Sequence, residues 1–178
     1  MLNVPNTLTI ARVLLIPAFI ILLMNRHYGV ALVVFVTAGI TDAVDGLVAR
    51  ITHQRTRLGA YLDPIADKLL LTSAFVALAI LKAIPSWLAV IVITRDVIIS
   101  LGFATLVLID RKPEIRPTMF SKVNTVVQVL TISMVLFSRA GATVSGFVPV
   151  LIVAVACTTT LTGLQYIYLG GRMTNERV

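Results

Sequence analysis

The sequence predicts an all-α integral membrane protein, a six-transmembrane-helix bundle with both termini on the cytoplasmic side. Three observations carry this. The chain of 178 residues is 58% hydrophobic with a mean hydropathy of +0.98, too apolar for a soluble domain of this size. Six apolar stretches, at residues 7–24, 30–51, 59–82, 87–109, 120–137 and 147–169, lie near the ~20 residues that a helix needs to cross a bilayer. The connections between them are short and hold most of the cations, whose uneven distribution sets an orientation. One membrane domain over residues 1–178 is expected.

The first stretch follows a short polar start and resembles a signal peptide. It lacks a small-residue cleavage site and carries Arg12 within it, so it reads as a retained helix, with Asn6 and Thr7 or Thr9 as capping residues. The second stretch ends in Thr41-Asp42-Ala43-Val44-Asp45-Gly46, and the third opens with Asp63-Pro64-Ile65-Ala66-Asp67. Helical geometry puts Asp42 and Asp45 at i and i+3, and Asp63 and Asp67 at i and i+4, so each pair shares a face. Like charges at that spacing repel, and more strongly in an apolar chain, which requires a positive partner. Carboxylate oxygens on helices suit hard divalent cations, Mg²⁺ or Mn²⁺, and four carboxylates balance two of them. Gly46 and Ala49 leave the space beyond the first pair free of bulk, and Arg50 can offer its guanidinium fork to a phosphate held by the metals. Pro64 disfavours helical geometry at Asp63, so the third helix either starts there or is kinked there.

Beyond the short turn Ile84-Pro85-Ser86, Trp87 reads as an interface anchor. Arg95 and Asp96 interrupt the fourth apolar stretch, and charges at that depth are expected to pair or to line a polar cavity. The polar stretch 110–122, with Pro113 and Pro117, is a loop before the fifth helix, with Thr118 or Ser121 as a cap. Lys122 and Asn124, beside that helix start, are placed to meet an anionic group. Gln128, Thr131, Ser133 and Thr158 to Thr160 suit hydrogen bonds between helices. Cys157 lies in the last apolar stretch, where it is expected to pack, and redox chemistry is not supported. The tail after residue 169 reads as a short polar end.

Summing cations by side gives Arg50, Arg55, Arg57, Arg111, Lys112, Arg116, Lys122, Arg172 and Arg177 on one face, against Arg26, Lys82 and Arg139 on the other. The first face is therefore cytoplasmic, and it carries both Asp pairs. The excess of seven positive charges is a topology signal and contacts membrane lipids; nucleic acid is not an expected partner.

The string Asp42-x-x-Asp45-Gly46-x-x-Ala49-Arg50, then Gly59-x-x-x-Asp63-x-x-x-Asp67, closely resembles the signature of the CDP-alcohol phosphatidyltransferases, membrane enzymes that join a CDP-linked group to an alcohol and release CMP. Every fixed position is matched. The resemblance implies a six-helix bundle that forms a homodimer, with Asp42, Asp45, Asp63 and Asp67 as metal ligands and Asp67 also as general base. It implies Gly46, Ala49, Arg50 and Gly59 around the nucleotide, joined by Asn6, Thr9 and Arg12 of the Pro-Asn-x-x-Thr-x-x-Arg opening. Arg95, followed by an acid as in the family, would brace the phosphates or the lipid headgroup. The substrate implied is CDP-diacylglycerol, with a lipid or glycerol-phosphate acceptor, in a bacterial cytoplasmic membrane with the site facing the cytoplasm.

For the acceptor, family members that use glycerol 3-phosphate carry a further Arg near Phe103 and a Gly-Lys-x-Lys-Thr run at the fifth helix. This chain reads Ser121-Lys122-Val123-Asn124-Thr125, so two cations are missing. With Arg95-Asp96, Arg116-Pro117-Thr118, Gln128, Tyr166 and Tyr168, the string looks like the cardiolipin synthase branch, which implies phosphatidylglycerol as acceptor and glycerol 3-phosphate as the close alternative. Two other classes share part of the pattern. Prenyltransferases with paired Asp motifs need more helices and another spacing, and a transporter would bind a cation in transit; the chain shows no internal repeat of the transporter kind.

Overall fold

The computed structural model describes the backbone of residues 4–51, 57–108 and 119–175, and the side chains of 13–41, 66–102, 119–144 and 146–169. Six α-helices lie among the described residues: α1 (Val4–Met24), α2 (Tyr28–Ile51), α3 (Arg57–Ile80), α4 (Ser86–Leu108), α5 (Met119–Arg139) and α6 (Val148–Asn175), with a 3-10 turn, Ser145–Phe147, before the last. At ~1.5 Å per residue each is long enough for the ~30 Å hydrocarbon core. Among the described residues α5, and α6 over Val148–Leu169, are also apolar enough to cross a membrane.

Several expectations are corrected. Helix α1 begins at Val4, so Asn6 lies inside its first turn and is not a cap. Helix α3 starts at Arg57 and runs through Pro64, so of the two alternatives, a start or a kink at Asp63, the start is excluded. It ends at Ile80, which leaves Lys82 in the turn. Ser121 is inside α5 and not its cap. Helix α6 continues past Gly170 and Gly171 to Asn175, so the expected polar tail is helical to that point. Cys157 is exposed and faces away from the interior.

The helices form a closed ring in which neighbours run α1, α2, α5, α6, α4, α3 and back to α1, with α3 also touching α5 across the middle. The inside changes along the axis. Towards the α1/α2, α3/α4 and α5/α6 turns it is dry: Phe19, Leu23, Phe35, Phe75, Leu78, Leu88, Val92 and Leu136 are buried there, with Phe19 and Phe35 rings 5.6 Å apart. Towards the other end it holds Arg95, Asn124, Gln128, Thr159 and Thr162. The outside is apolar. On α5, Asn124, Gln128 and Thr131 are buried, while Val123, Val126, Leu130 and Phe137 are exposed. A soluble bundle would reverse that order; a bundle whose solvent is hydrocarbon need not.

Candidate active site

The ring puts the N-terminal ends of α1, α3 and α5 and the C-terminal ends of α2, α4 and α6 at one end of the bundle. All candidate residues on described backbone except Arg95 lie towards that end; Arg95 stands near the middle of α4, and its side chain reaches Ser121 of α5. On α2, Asp42 and Asp45 stand nine and six residues before Ile51; on α3, Asp63 and Asp67 stand six and ten residues after Arg57. Both pairs are therefore ~9–15 Å along the axis from their helix ends, at matched depth. Helix α1, carrying Asn6 and Thr9, packs against both α2 and α3. Gly46, Ala49 and Arg50 occupy the last turns of α2 and Gly59 the first turn of α3. The side chains of these residues, Asp67 excepted, lie outside the described residues, as does all of Arg116. Asp67 is partly buried, and the adjacent Lys68 donates from Nζ to Ser100 Oγ of α4 at 3.3 Å.

Arg95 is buried and reaches across three helices. Its Nη1 pairs with Asp96 Oδ1 at 2.8 Å, and its Nη2 donates to Ser121 Oγ of α5 at 2.9 Å. Its guanidinium carbon lies 5.8 Å from the Tyr166 ring centroid on α6, within cation–π range. A Cβ at Gly163 would touch the Arg95 stem at 3.5 Å, an ordinary contact. The expected pairing of the two intramembrane charges is present. Nε of Arg95 is buried without a partner, so the side chain keeps one donor uncommitted.

Lys122 and Asn124 part company. Lys122 is exposed at the start of α5, whereas Asn124 is fully buried in the α5–α6 seam. Asn124 Oδ1 accepts from Thr158 Oγ1 at 2.8 Å and from Thr159 Oγ1 at 2.9 Å, and Gln128 Nε2 lies 3.5 Å from Thr159 Oγ1. The expected hydrogen bonds between helices thus form at Gln128, Thr158 and Thr159, while Thr131 bonds the Val127 carbonyl of its own helix and Thr160 is exposed. Ser121, Tyr166 and Lys68 were not singled out as site residues by their spacing. The signal for the first two was the Arg95-Asp96 pair itself, since a buried guanidinium needs acceptors and a polarisable neighbour.

The sequence model of the family described as CDP-alcohol phosphatidyltransferase matches residues 2–162. The chain belongs to this family. Among its relatives, a probable phosphatidylglycerophosphate synthase of Mycobacterium tuberculosis is 36% identical over 172 residues, 93% of this chain and 80% of the relative. The CDP-diacylglycerol–glycerol-3-phosphate 3-phosphatidyltransferase of Bacillus subtilis is 32% identical over 152 residues, 76% of this chain and 77% of the relative. The cardiolipin synthase (CMP-forming) of Homo sapiens is 35% identical over 147 residues, 74% of this chain and 49% of the relative. With two helices apolar enough to cross a bilayer and an apolar exterior, this phosphatidyltransferase is a membrane protein.

Proposed function

We propose that the protein transfers the phosphatidyl group of CDP-diacylglycerol to the hydroxyl of phosphatidylglycerol, forming cardiolipin and releasing CMP. The observation that carries the transferase reading is the placement of four carboxylate residues on two helices at matched depth, in a chain of this family. An all-oxygen donor set on rigid helices fits two divalent cations, Mg²⁺ or Mn²⁺, held by Asp42, Asp45, Asp63 and Asp67. When bound, these ions neutralise the diphosphate and the charge that develops on the departing CMP. Arg50 grips the diphosphate through its fork, and Gly46, Ala49 and Gly59 leave room for the nucleotide beside Asn6 and Thr9. Asp67 accepts the proton of the acceptor hydroxyl as the new oxygen–phosphorus bond forms and the bond to CMP breaks. Arg95, steadied by Asp96, Ser121 and Tyr166, braces the lipid headgroup from the far side, and Arg116 and Lys122 meet the acceptor phosphate.

The acceptor follows from charge. At the start of the fifth helix Lys122 is exposed, while Asn124, in place of a second cation, is turned into the α5–α6 seam. A phosphodiester acceptor with one charge needs fewer cations than a phosphomonoester dianion. The second reading, glycerol 3-phosphate as acceptor, is favoured by the wider coverage of the phosphatidylglycerophosphate synthase relative. All six helices cross a bacterial cytoplasmic membrane with both termini inside, so that the single catalytic domain faces the cytoplasm, and two copies pair as a homodimer. Labelled CDP-diacylglycerol with each acceptor separately tests the reading: cardiolipin is expected, efficient phosphatidylglycerophosphate formation without cardiolipin moves the assignment to the second acceptor, and no metal-dependent CMP release with any acceptor overturns the transferase.

A further inference from the structure

The end of the bundle opposite the carboxylates is built differently from anything the transfer reaction uses. Three turns meet there, and they carry Arg26, His27, Lys82 and Arg139, all exposed. Among the described residues no acidic residue is near: the closest along a helix is Asp96, ten residues into α4, or ~15 Å by helical rise. That exceeds the ~8 Å screening length at physiological ionic strength, so none of the described carboxylates neutralises the three fixed cations. Helix dipoles do not neutralise them either, because three C-terminal and three N-terminal helix ends meet at this end and their partial charges cancel.

The backbone shows a cost accepted at these positions. Helices α1, α3 and α5 all close with the same pair of bonds: Arg26 N to Leu23 O and His27 N to Leu22 O, Lys82 N to Ala79 O and Ala83 N to Leu78 O, Gly141 N to Ser138 O and Ala142 N to Phe137 O. This closure needs a left-handed residue, for which glycine is the unstrained choice. Only α5 uses glycine; α1 and α3 place Arg26 at φ 59° and Lys82 at φ 53°. Arg139 ties two of the turns together by donating from Nη2 to the Lys82 carbonyl at 3.0 Å. A recess of about 300 Å³ lies where Arg26, His27 and Gly29 meet Arg139 and Ala140. Beside it the outer surface is apolar, with Met24, Val30, Ile80, Phe137 and Phe147 exposed.

We infer that this end binds the headgroup of an anionic phospholipid, with the phosphodiester in the recess between Arg26 and Arg139 and the acyl chains along the apolar surface below. The juxtaposition of unneutralised cations and lipid-facing side chains selects an amphiphile over a free phosphate. The absence of a carboxylate among the described residues at this end selects a net anionic lipid over a zwitterionic one, whose own cation would find no described partner. The binding is independent of which alcohol the transferase accepts.

The test uses the purified, delipidated full chain, with bound lipid counted by native mass spectrometry against phosphatidylserine, phosphatidylcholine of the same acyl chains, and inorganic phosphate. The wild type should prefer phosphatidylserine, and Arg26→Gly with Lys82→Gly should weaken that preference by about fivefold for each cation removed. Glycine fits both left-handed positions, so this variant folds, and its CMP release should be unchanged. Arg26→Lys should keep most of the preference. Unchanged selectivity in the double variant overturns the proposal, as does an equal loss in Arg26→Lys, which would show that charge is not the cause. Displacement of phosphatidylserine by equimolar inorganic phosphate would also overturn it, in favour of a free-anion site.

Discussion

The two halves of the bundle, divided across its axis, have opposite interiors. The half towards the three turns is filled by Phe19, Phe35, Phe75, Leu78 and Leu136 and contains no buried charge among the described residues. The half towards the carboxylates contains Arg95, Asn124, Gln128, Thr159 and Thr162. In water the first arrangement stabilises and the second costs; within hydrocarbon, apolar side chains gain little by moving inside, and packing and hydrogen bonding decide. The dry half therefore acts as the clamp that lets the other half keep polar groups. The same sequence element often serves both: α3 carries Asp63 and Asp67 near one end and Phe75 and Leu78 near the other.

Substitutions that touch one half and spare the other test this division. The largest effect is expected at Asp67. Asp67→Asn cannot accept a proton, so CMP release should fall by roughly 10²–10⁴-fold while the melting temperature and nucleotide binding are kept. Near-normal turnover with metals bound would remove the general-base role. Asp42→Asn should instead raise the metal concentration needed and weaken nucleotide binding together.

Next comes the dry half. Phe75 is fully buried, and Phe75→Ala should cost about 3 kcal/mol of stability, read as a lower detergent melting temperature. The KM for CDP-diacylglycerol in the folded fraction should stay the same. A changed KM with little loss of stability would mean the halves are not separable. Arg50→Ala comes below both in size: losing a hydrogen bond to a charged diphosphate costs ~1.5–3 kcal/mol of affinity, with Arg50→Lys a partial replacement. Equal affinity in wild type and Arg50→Ala would return Arg50 to a simple cation of the helix end.

Much of this division was legible beforehand. Helix bounds read from hydropathy agree with the observed ones to within three residues, except at the end of α6. There, Gly170 and Gly171 looked like a stop, but glycine permits termination without requiring it. At Pro64 a helix start was one of two alternatives, and the helix instead runs through: the residue removes one hydrogen bond, which a helix with enough other support withstands. The carboxylates were legible because charge in an apolar chain is conspicuous. The direction each helix faces was not, since inside and outside are both apolar and the usual periodicity is silent; Cys157 was misplaced for that reason. The usable signal on α5 was the polar stripe Asn124, Gln128, Thr131 at helical spacing, which marks the interior. The order of helices around the ring had no counterpart in the sequence.

That stripe gives the smallest expected effect. Thr158 Oγ1 lies 2.8 Å from both Asn124 Oδ1 and the Ala154 carbonyl, but a hydroxyl has one proton. Asn124 Nδ2, meanwhile, is buried without a partner. Turning the amide over is the alternative to the Oδ1-accepting arrangement: Nδ2 then donates to Thr158 and Thr159 and Thr158 gives its proton to Ala154, while Oδ1 takes the side where Nδ2 has no partner. In that arrangement both threonines are acceptors for one amide, and hydrogen bonds of this kind within a membrane are worth ~0.6 kcal/mol each. Thr159→Val should therefore lower stability by about that amount, and Asn124→Ala, which removes both, by about twice as much. Asn124→Asp discriminates the orientations. Ionised, a carboxylate at this position can only accept and also bears the cost of a buried charge, so it should destabilise less if the amide oxygen faces the threonines and well beyond Asn124→Ala if the nitrogen does. Melting temperatures of the three variants in one detergent decide between them, and an Asn124→Asp variant as stable as wild type would retain the oxygen-facing arrangement.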